Sequence, residues 1–281
     1  MNNKFCLYSA PFKRPMTVFE KVDAAVAFGL SNIETISVGE LADPDPEFVR
    51  KLRRYGDERG VTFTCTSVGV DLVRDDRREK IELLKKHAEA AAILGSPYLH
   101  HTIALSIDDP QDSIENHELY YRRGVEAVRE VYDYAQTLGV RTVFEDQGYI
   151  FNGVAGFRRF LQDVDRNVGV VADFGNIMFV DERVEDFIPV FADRIVNVHV
   201  KDFVATSKEK RAREPGEYLT RGGNYLRDCP LGKGDVDFAA AFRELEKIGY
   251  NGYYALEAQA MGEDQSQTYV DNMKFLNQFV K

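Results

Sequence analysis

The stretch RIVNVHVKDF, residues 194–203, alternates apolar and polar positions and then ends in reactive side chains. Val196, Val198 and Val200 share one side of an extended chain, Asn197 and His199 take the other, and Lys201 and Asp202 follow at the exit. A period of two is the pattern of a β-strand, whose successive side chains point to opposite faces. If the valines face a helical layer, His199 faces away from it. One histidine closing an apolar run is often an ordinary rim residue, so its meaning depends on how the other strands end.

Three other apolar runs end in the same manner. VRTVFED (140–146) reaches Glu145, VGVVADF (168–174) reaches Asp173, and GYYALEA (252–258) reaches Glu257. Alternation puts Val143 with Glu145, Val171 with Asp173, and Ala255 with Glu257. Glu145 and Asp173 are 28 residues apart and Asp173 and His199 are 26 apart, each about one strand–helix unit. From His199 to Glu257 is 58 residues, one unit plus a long polar insertion. The four residues thus close four consecutive strands.

The rest of the chain continues the rhythm. FCLYSA, NIETIS, VTFTCTSV and PYLHHTI supply four earlier strands. Amphipathic runs such as MTVFEKVDAAVAFG, PEFVRKLRRYGDERG, REKIELLKKHAEAAAILG and YRRGVEAVREVYDYAQTLG lie between them and end in glycine, a preferred residue at helix C-termini. DFAAAFRELEKIG and QTYVDNMKFLNQFV complete the series. Eight strands alternating with helices over 281 residues, without a Pro-, Gly- or Ser-rich linker, predict a single α/β domain over 1–281, a (β/α)8 TIM barrel. A doubly wound open sheet is the competitor, but the Gly-x-Gly-x-x-Gly turn after a first strand is missing. The long loop after strand 7, from Phe203 to Leu231, breaks the rhythm and suggests a lid or binding segment.

Composition narrows the function. A net charge of −10 disfavours nucleic acid as a partner and favours a small molecule. The three cysteines, Cys6, Cys65 and Cys229, form no Cys-x-x-Cys pair and indicate neither a disulfide framework nor a thiolate zinc site. No long apolar run suggests a signal peptide or a membrane span, so a soluble cytoplasmic protein is expected.

In a barrel the strand C-termini share the face that carries the active site. Three carboxylates and an imidazole aimed at one volume there repel one another and resist desolvation, a conflict that a divalent cation resolves. Three oxygens and one nitrogen suit a cation of intermediate hardness, Mn²⁺ first, with Mg²⁺, Co²⁺ and Zn²⁺ as alternatives. Glu145, Asp173, His199 and Glu257 are the expected metal ligands.

The order Glu, Asp, His, Glu at strands five to eight resembles the xylose-isomerase-like barrels, the sugar phosphate isomerase/epimerase family. NVHVKD and LGKGDVDF are similar to segments of that family, and DFGN is similar to the pattern in L-ribulose-5-phosphate 3-epimerases. The resemblance runs from FGLSNIET to GYYALE. It implies a metal-dependent epimerase or isomerase acting on a ketose or related keto-sugar through a cis-enediolate. Glu145 and Glu257 would act as catalytic acid and base on opposite sides of the sugar. It also implies a homodimer or homotetramer. A lyase or dehydratase acting on a keto-inositol or 3-keto-glycoside would use the same metal and base. Many ketose epimerases carry a histidine where this chain has Asn176, so the sugar itself stays open. Apurinic-site endonucleases share the fold, but they need several metals and many histidines, and this chain has five.

Other residues are candidates for substrate binding. Of His100 and His101, alternation sends one inward, and His101 is taken as that one. Glu34 closes the second strand near the site. Asn176 and Lys201 flank two of the ligands. Lys208, Lys210, Arg211 and Arg213 could clamp a phosphate over the mouth or form a solvated charged loop. Phe12, Tyr149 and Phe151 could wall the site or simply pack.

Overall fold

The computed structural model describes residues 4–9, 15–104, 110–257 and 265–280. Eight parallel strands close a barrel. They are β1 (Phe5–Tyr8), β2 (Asn32–Ile36), β3 (Thr62–Val68), β4 (Tyr98–His101), β5 (Arg141–Glu145), β6 (Gly169–Asp173), β7 (Ile195–Val200) and, after three further strands, β11 (Tyr253–Leu256). β11 pairs with both β7 and β1, which seals the cylinder. Asp173 lies opposite His199, and His199 opposite Ala255, so inward side chains form a continuous row across these strands.

Helices α1 (Val18–Ala27), α2 (Pro46–Glu58), α3 (Arg77–Leu94), α4 (Pro110–Glu115), α5 (His117–Thr137), α6 (Val154–Val164), α7 (Val184–Phe187), α8 (Phe238–Lys247) and α9 (Gln265–Leu276) alternate with the barrel strands. Local chemistry sets their ends. Thr17 and Glu20 form a reciprocal capping box at α1, and Asp45 caps α2 ahead of Pro46. Gly95 takes a φ of 71° to end α3, a conformation that costs a side-chain-bearing residue energy. After β6 the helical layer is short and broken, with Pro189 inside its second 3₁₀ turn. No described helix is long and apolar enough to cross a membrane.

The main core lies between barrel and helices, where Phe144, Phe157, Phe160, Phe187 and Phe191 interlock as edge-on and tilted rings. Inside the barrel, small and apolar side chains fill the lower layers: Cys6 with Ala255, and Cys65 with Val143 and Val171. All three cysteines are free and buried. The layer above them is polar.

The segment after β7 is not the bare loop its composition suggests. β8 (Asp202–Thr206), β9 (Tyr218–Leu219) and β10 (Tyr225–Cys229) form a three-stranded antiparallel sheet, a flap beside the barrel mouth. Its inner side buries Phe203 and Leu226 against Tyr149 and Phe179. Asp181 pins the turn between β9 and β10, accepting from Thr220 Oγ1 at 2.8 Å, Gly222 N at 2.7 Å and Asn224 Nδ2 at 2.9 Å. At the base, Asp202 accepts from Gly232 N, Gly234 N and Val236 N. A Cβ on Gly234 would fall 2.2 Å from Asp202 Oδ1, so this grip requires glycine there.

Candidate active site at the strand C-termini

Glu145, Asp173, His199 and Glu257 each offer one ligand atom, and these atoms all lie within 4.8 Å of one another. The first three are buried and Glu257 is partly exposed. His199 Nδ1 is the focus, 3.0 Å from Glu257 Oε2, 3.2 Å from Glu145 Oε2 and 3.9 Å from Asp173 Oδ2. Backbone geometry presets Asp173, whose Oδ1 accepts from Gly175 N at 2.8 Å and Asn176 N at 2.7 Å. Its other oxygen then points inward.

This arrangement fits a divalent cation better than it fits hydrogen bonding alone. One imidazole nitrogen carries at most one hydrogen, yet three carboxylates crowd it. Asp173 Oδ2 and Glu257 Oε2 are buried with no well-directed hydrogen bond, only the ion-pair approaches of Lys201 Nζ and His199 Nδ1. Three oxygen donors and one nitrogen, converging with unmet acceptor capacity, match the donor set of a divalent cation.

The electrostatics carry the same stress. Burial pushes Asp173 up to about 7, with Lys201 only partly opposing and Glu257 and Glu145 adding to the rise. Burial also opposes ionisation of Glu257, but Lys201 and His199 outweigh it and hold that carboxyl at about 2. Burial disfavours the His199 imidazolium, yet Glu34, Glu145 and Glu257 overcome it and raise the ring well above its ordinary value. Asp146, behind the site, is raised well above the carboxylate range by burial and by Asp173.

The structure brings Glu34, Lys201 and Asn176 to the same place. Lys201 Nζ lies 2.8 Å from Glu257 Oε1, 3.0 Å from Asp173 Oδ2 and 3.2 Å from Asn176 Oδ1. Asn176 Nδ2 has no partner. Glu34, fully buried, reaches His199 Nε2 at 3.1 Å and accepts from Asn197 Nδ2 at 2.9 Å. Burial opposes its charge, but His199, His100 and the Ser67 hydroxyl hold it at about 2.

His101 is not the inward histidine. Its ring packs edge-on against Phe144, 4.7 Å between centroids, and Nδ1 meets Thr102 O at 2.9 Å. The inward residue is His100, whose ring stands 5.3 Å from that of His199. Leu99 marks the helix-facing side of β4, so alternation applied from Leu99 sends His101 outward and His100 inward. Burial lowers His100 below its ordinary value, although Glu145 opposes this.

Sequence reasoning also missed Tyr8, whose ring meets His199 edge-on at 5.3 Å, and Asp228, a flap carboxyl that senses the charges of Lys201 and Glu257. The strand end FCLYS could have revealed Tyr8; nothing in the polar insertion singled out Asp228. Phe151 packs in the core against Tyr121 and Phe160, and Tyr149 donates to Leu219 O to hold the flap. Phe12 lies outside the described residues. The basic residues of the insertion are largely engaged within it. Arg211 forms a fork with Glu217, Arg213 donates to Glu217 O, and Lys208 Nζ donates to Gly222 O at 2.7 Å.

Fold and sequence together define the class. The chain belongs to the xylose isomerase-like TIM barrel family, whose profile matches residues 22–279. An inosose dehydratase of Lactiplantibacillus plantarum is 35% identical over 94 residues, 33% of this chain and only 30% of that protein. The inosose dehydratase of Geobacillus kaustophilus is 25% identical over 236 residues, 79% of this chain and 74% of that protein. In fold, the chain is similar to D-psicose 3-epimerase from Clostridium cellulolyticum H10, solved with D-tagatose, with a TM-score of 0.79, 16% identity and 99% of each chain covered.

Proposed function

We propose that the protein is a divalent-metal-dependent epimerase or isomerase of an uncharged ketose or related keto-sugar. The convergence of Glu145, Asp173, Glu257 and His199 Nδ1 carries this reading. A bound cation, Mn²⁺ foremost, would supply Lewis-acid stabilisation of the negative charge that builds on the substrate oxygen. Glu145 and Glu257 divide the proton transfers. One removes the proton beside the carbonyl and the other returns one, to the opposite face for an epimer or to the neighbouring carbon for an isomer. Lys201 Nζ and the unpartnered Asn176 Nδ2 are the donors that hold sugar oxygens.

Two observations favour a substrate without phosphate. Arg211 and Arg213, the obvious clamp, are turned onto Glu217. The flap instead brings the Asp228 carboxyl toward Lys201 and Glu257. A second reading is dehydration of a keto-inositol, favoured by the likeness to the Geobacillus protein. It uses the same proton abstraction but expels a neighbouring hydroxyl.

Solvent deuterium exchange tests the reaction. Mn²⁺-loaded protein is incubated in D₂O with neutral ketoses, keto-inositols and ketose phosphates. Label beside the carbonyl of a neutral sugar, lost in Glu145→Gln and Glu257→Gln, is the expected result. Loss of water from the product assigns dehydration. Absence of both across the panel overturns the proposal, and preference for the phosphates overturns the neutral substrate class.

A further inference from the structure

Glu34 sits at the centre of a buried hydrogen-bond chain that none of the proton transfers uses. Its Oε2 accepts from Asn197 Nδ2 at 2.9 Å. Its Oε1 accepts from the Ser67 hydroxyl and lies 3.1 Å from His199 Nε2. Ser67 Oγ also lies 3.1 Å from His100 Nδ1. Glu34, Ser67, Asn197, His100 and His199 are all at most 3% exposed. Water therefore does little to mask which atom carries which hydrogen.

With Glu34 ionised, the distances fix the donors and acceptors of this chain. An ionised carboxylate only accepts, so the three groups facing Glu34 must all donate to it. His199 therefore carries a hydrogen on Nε2. Ser67 has one hydrogen and spends it on Glu34, so its oxygen must accept from His100. His100 thus carries a hydrogen on Nδ1, and a second one on Nε2 would be buried without an acceptor, so Nε2 is left as a bare lone pair. That Nε2 is buried with no hydrogen-bond partner, and it lies 3.7 Å from Glu145 Oε1, on the reacting side of the site. One carboxylate thus dictates the faces that two imidazoles present, a role that outer hydrogen bonds commonly play for ligating histidines.

We propose that Glu34, clamped by Ser67 and Asn197, locks the hydrogen positions of two histidines at once. His199 then offers Nδ1 to a divalent cation, and His100 offers an unprotonated Nε2 as acceptor for a hydroxyl of a polyhydroxylated substrate. The inference rests on the metal-dependent sugar reading for the use of these atoms, but the hydrogen positions themselves do not depend on turnover. Glu34 and Ser67 are positioning residues. His100 is the group that meets the substrate.

Histidine-selective ¹⁵N NMR tests this, with Zn²⁺ as a diamagnetic probe and His100→Gln and His199→Gln to assign the signals. Expected in the Zn²⁺-loaded protein are a hydrogen on Nε2 and a coordinated Nδ1 for His199. For His100 a hydrogen on Nδ1 and a bare Nε2 are expected, with or without Zn²⁺. A hydrogen on His100 Nε2, or Zn²⁺ on His199 Nε2, overturns the lock. Calorimetry separates the branches. Glu34→Gln, whose amide can present a donor to His199, should weaken Zn²⁺ binding roughly 10- to 100-fold. Ser67→Ala should leave Zn²⁺ affinity within about threefold while mixing the two His100 tautomers. Equal Zn²⁺ affinity in Glu34→Gln and wild type overturns the His199 branch. Failure of the wild type to bind any divalent cation would sink the functional reading, while the His100 tautomer could still be read in the same sample.

Discussion

Lys201 and Glu257 form an ion pair at 2.8 Å, and the other oxygen of Glu257 faces His199. The ammonium therefore stands where it neutralises two carboxylates of the expected metal set, Glu257 and Asp173. It also opposes the arrival of a second positive charge.

Replacing Lys201 with Met should have two opposite effects. Without a cation, buried Asp173 and partly exposed Glu257 lose their partner, and stability should fall by about 3 kcal/mol, as when one member of a buried pair is removed. Affinity for Mn²⁺ should rise about tenfold because a like charge has gone. Denaturant melts with and without Mn²⁺, together with calorimetry, check both. Unchanged affinity would mean that Lys201 does not sense the cation.

Cation binding should release protons, and more of them at lower pH. The raised His199 value means that Nδ1 holds a hydrogen at neutral pH, which coordination must expel. Asp173, raised to about 7, adds a second proton below that pH. Apparent Mn²⁺ affinity should therefore climb as pH rises. Calorimetry in buffers of different ionisation enthalpy should count about one proton more at pH 6 than at pH 8.

Mn²⁺ at one hundred times its dissociation constant should stabilise the fold by about 2.7 kcal/mol. For a chain of 281 residues that is a rise in Tm of roughly 4–6 °C. Asp173→Asn should abolish the rise, because its Oδ2 is among the converging ligands. A rise of equal size in that variant would place the cation elsewhere.

Asp181→Ala removes three hydrogen bonds from the flap and none from the barrel wall. Amide exchange over residues 218–229 should quicken about 10- to 100-fold, equivalent to a local loss of about 1–3 kcal/mol. Exchange in β5, β6 and β7 should stay as in the wild type. Hydrogen-exchange mass spectrometry resolves the two regions.

The parts of this protein that were legible in its sequence are those where strand alternation and spacing speak together. Glu145 and Asp173 lie where the apolar residue two before each, Val143 and Val171, fixes its face, and His199 lies between Val198 and Val200, which fix the opposite one; the fold followed from the same pattern. The choice between His100 and His101 went wrong because the later residue was favoured over the face that Leu99 sets. The flap was hidden because its strands are short and set within a polar insertion, held by pairs such as Arg211 with Glu217 that look like a solvated run in one dimension. Glu34 was visible as a strand-end acid, but its bonds run to Ser67, Asn197 and His199, 33, 163 and 165 residues away. No local pattern encodes that reach.

Asp202 accepts from the backbone of residues 232–236 at the point where the excursion departs from β7 and returns toward α8. Both stems are thus stapled together below the flap, leaving the intervening sequence topologically a cassette. Its length and lining can be rewritten while the hub of carboxylates stays in place, so selectivity and chemistry in this chain are free to evolve on separate pieces of polypeptide.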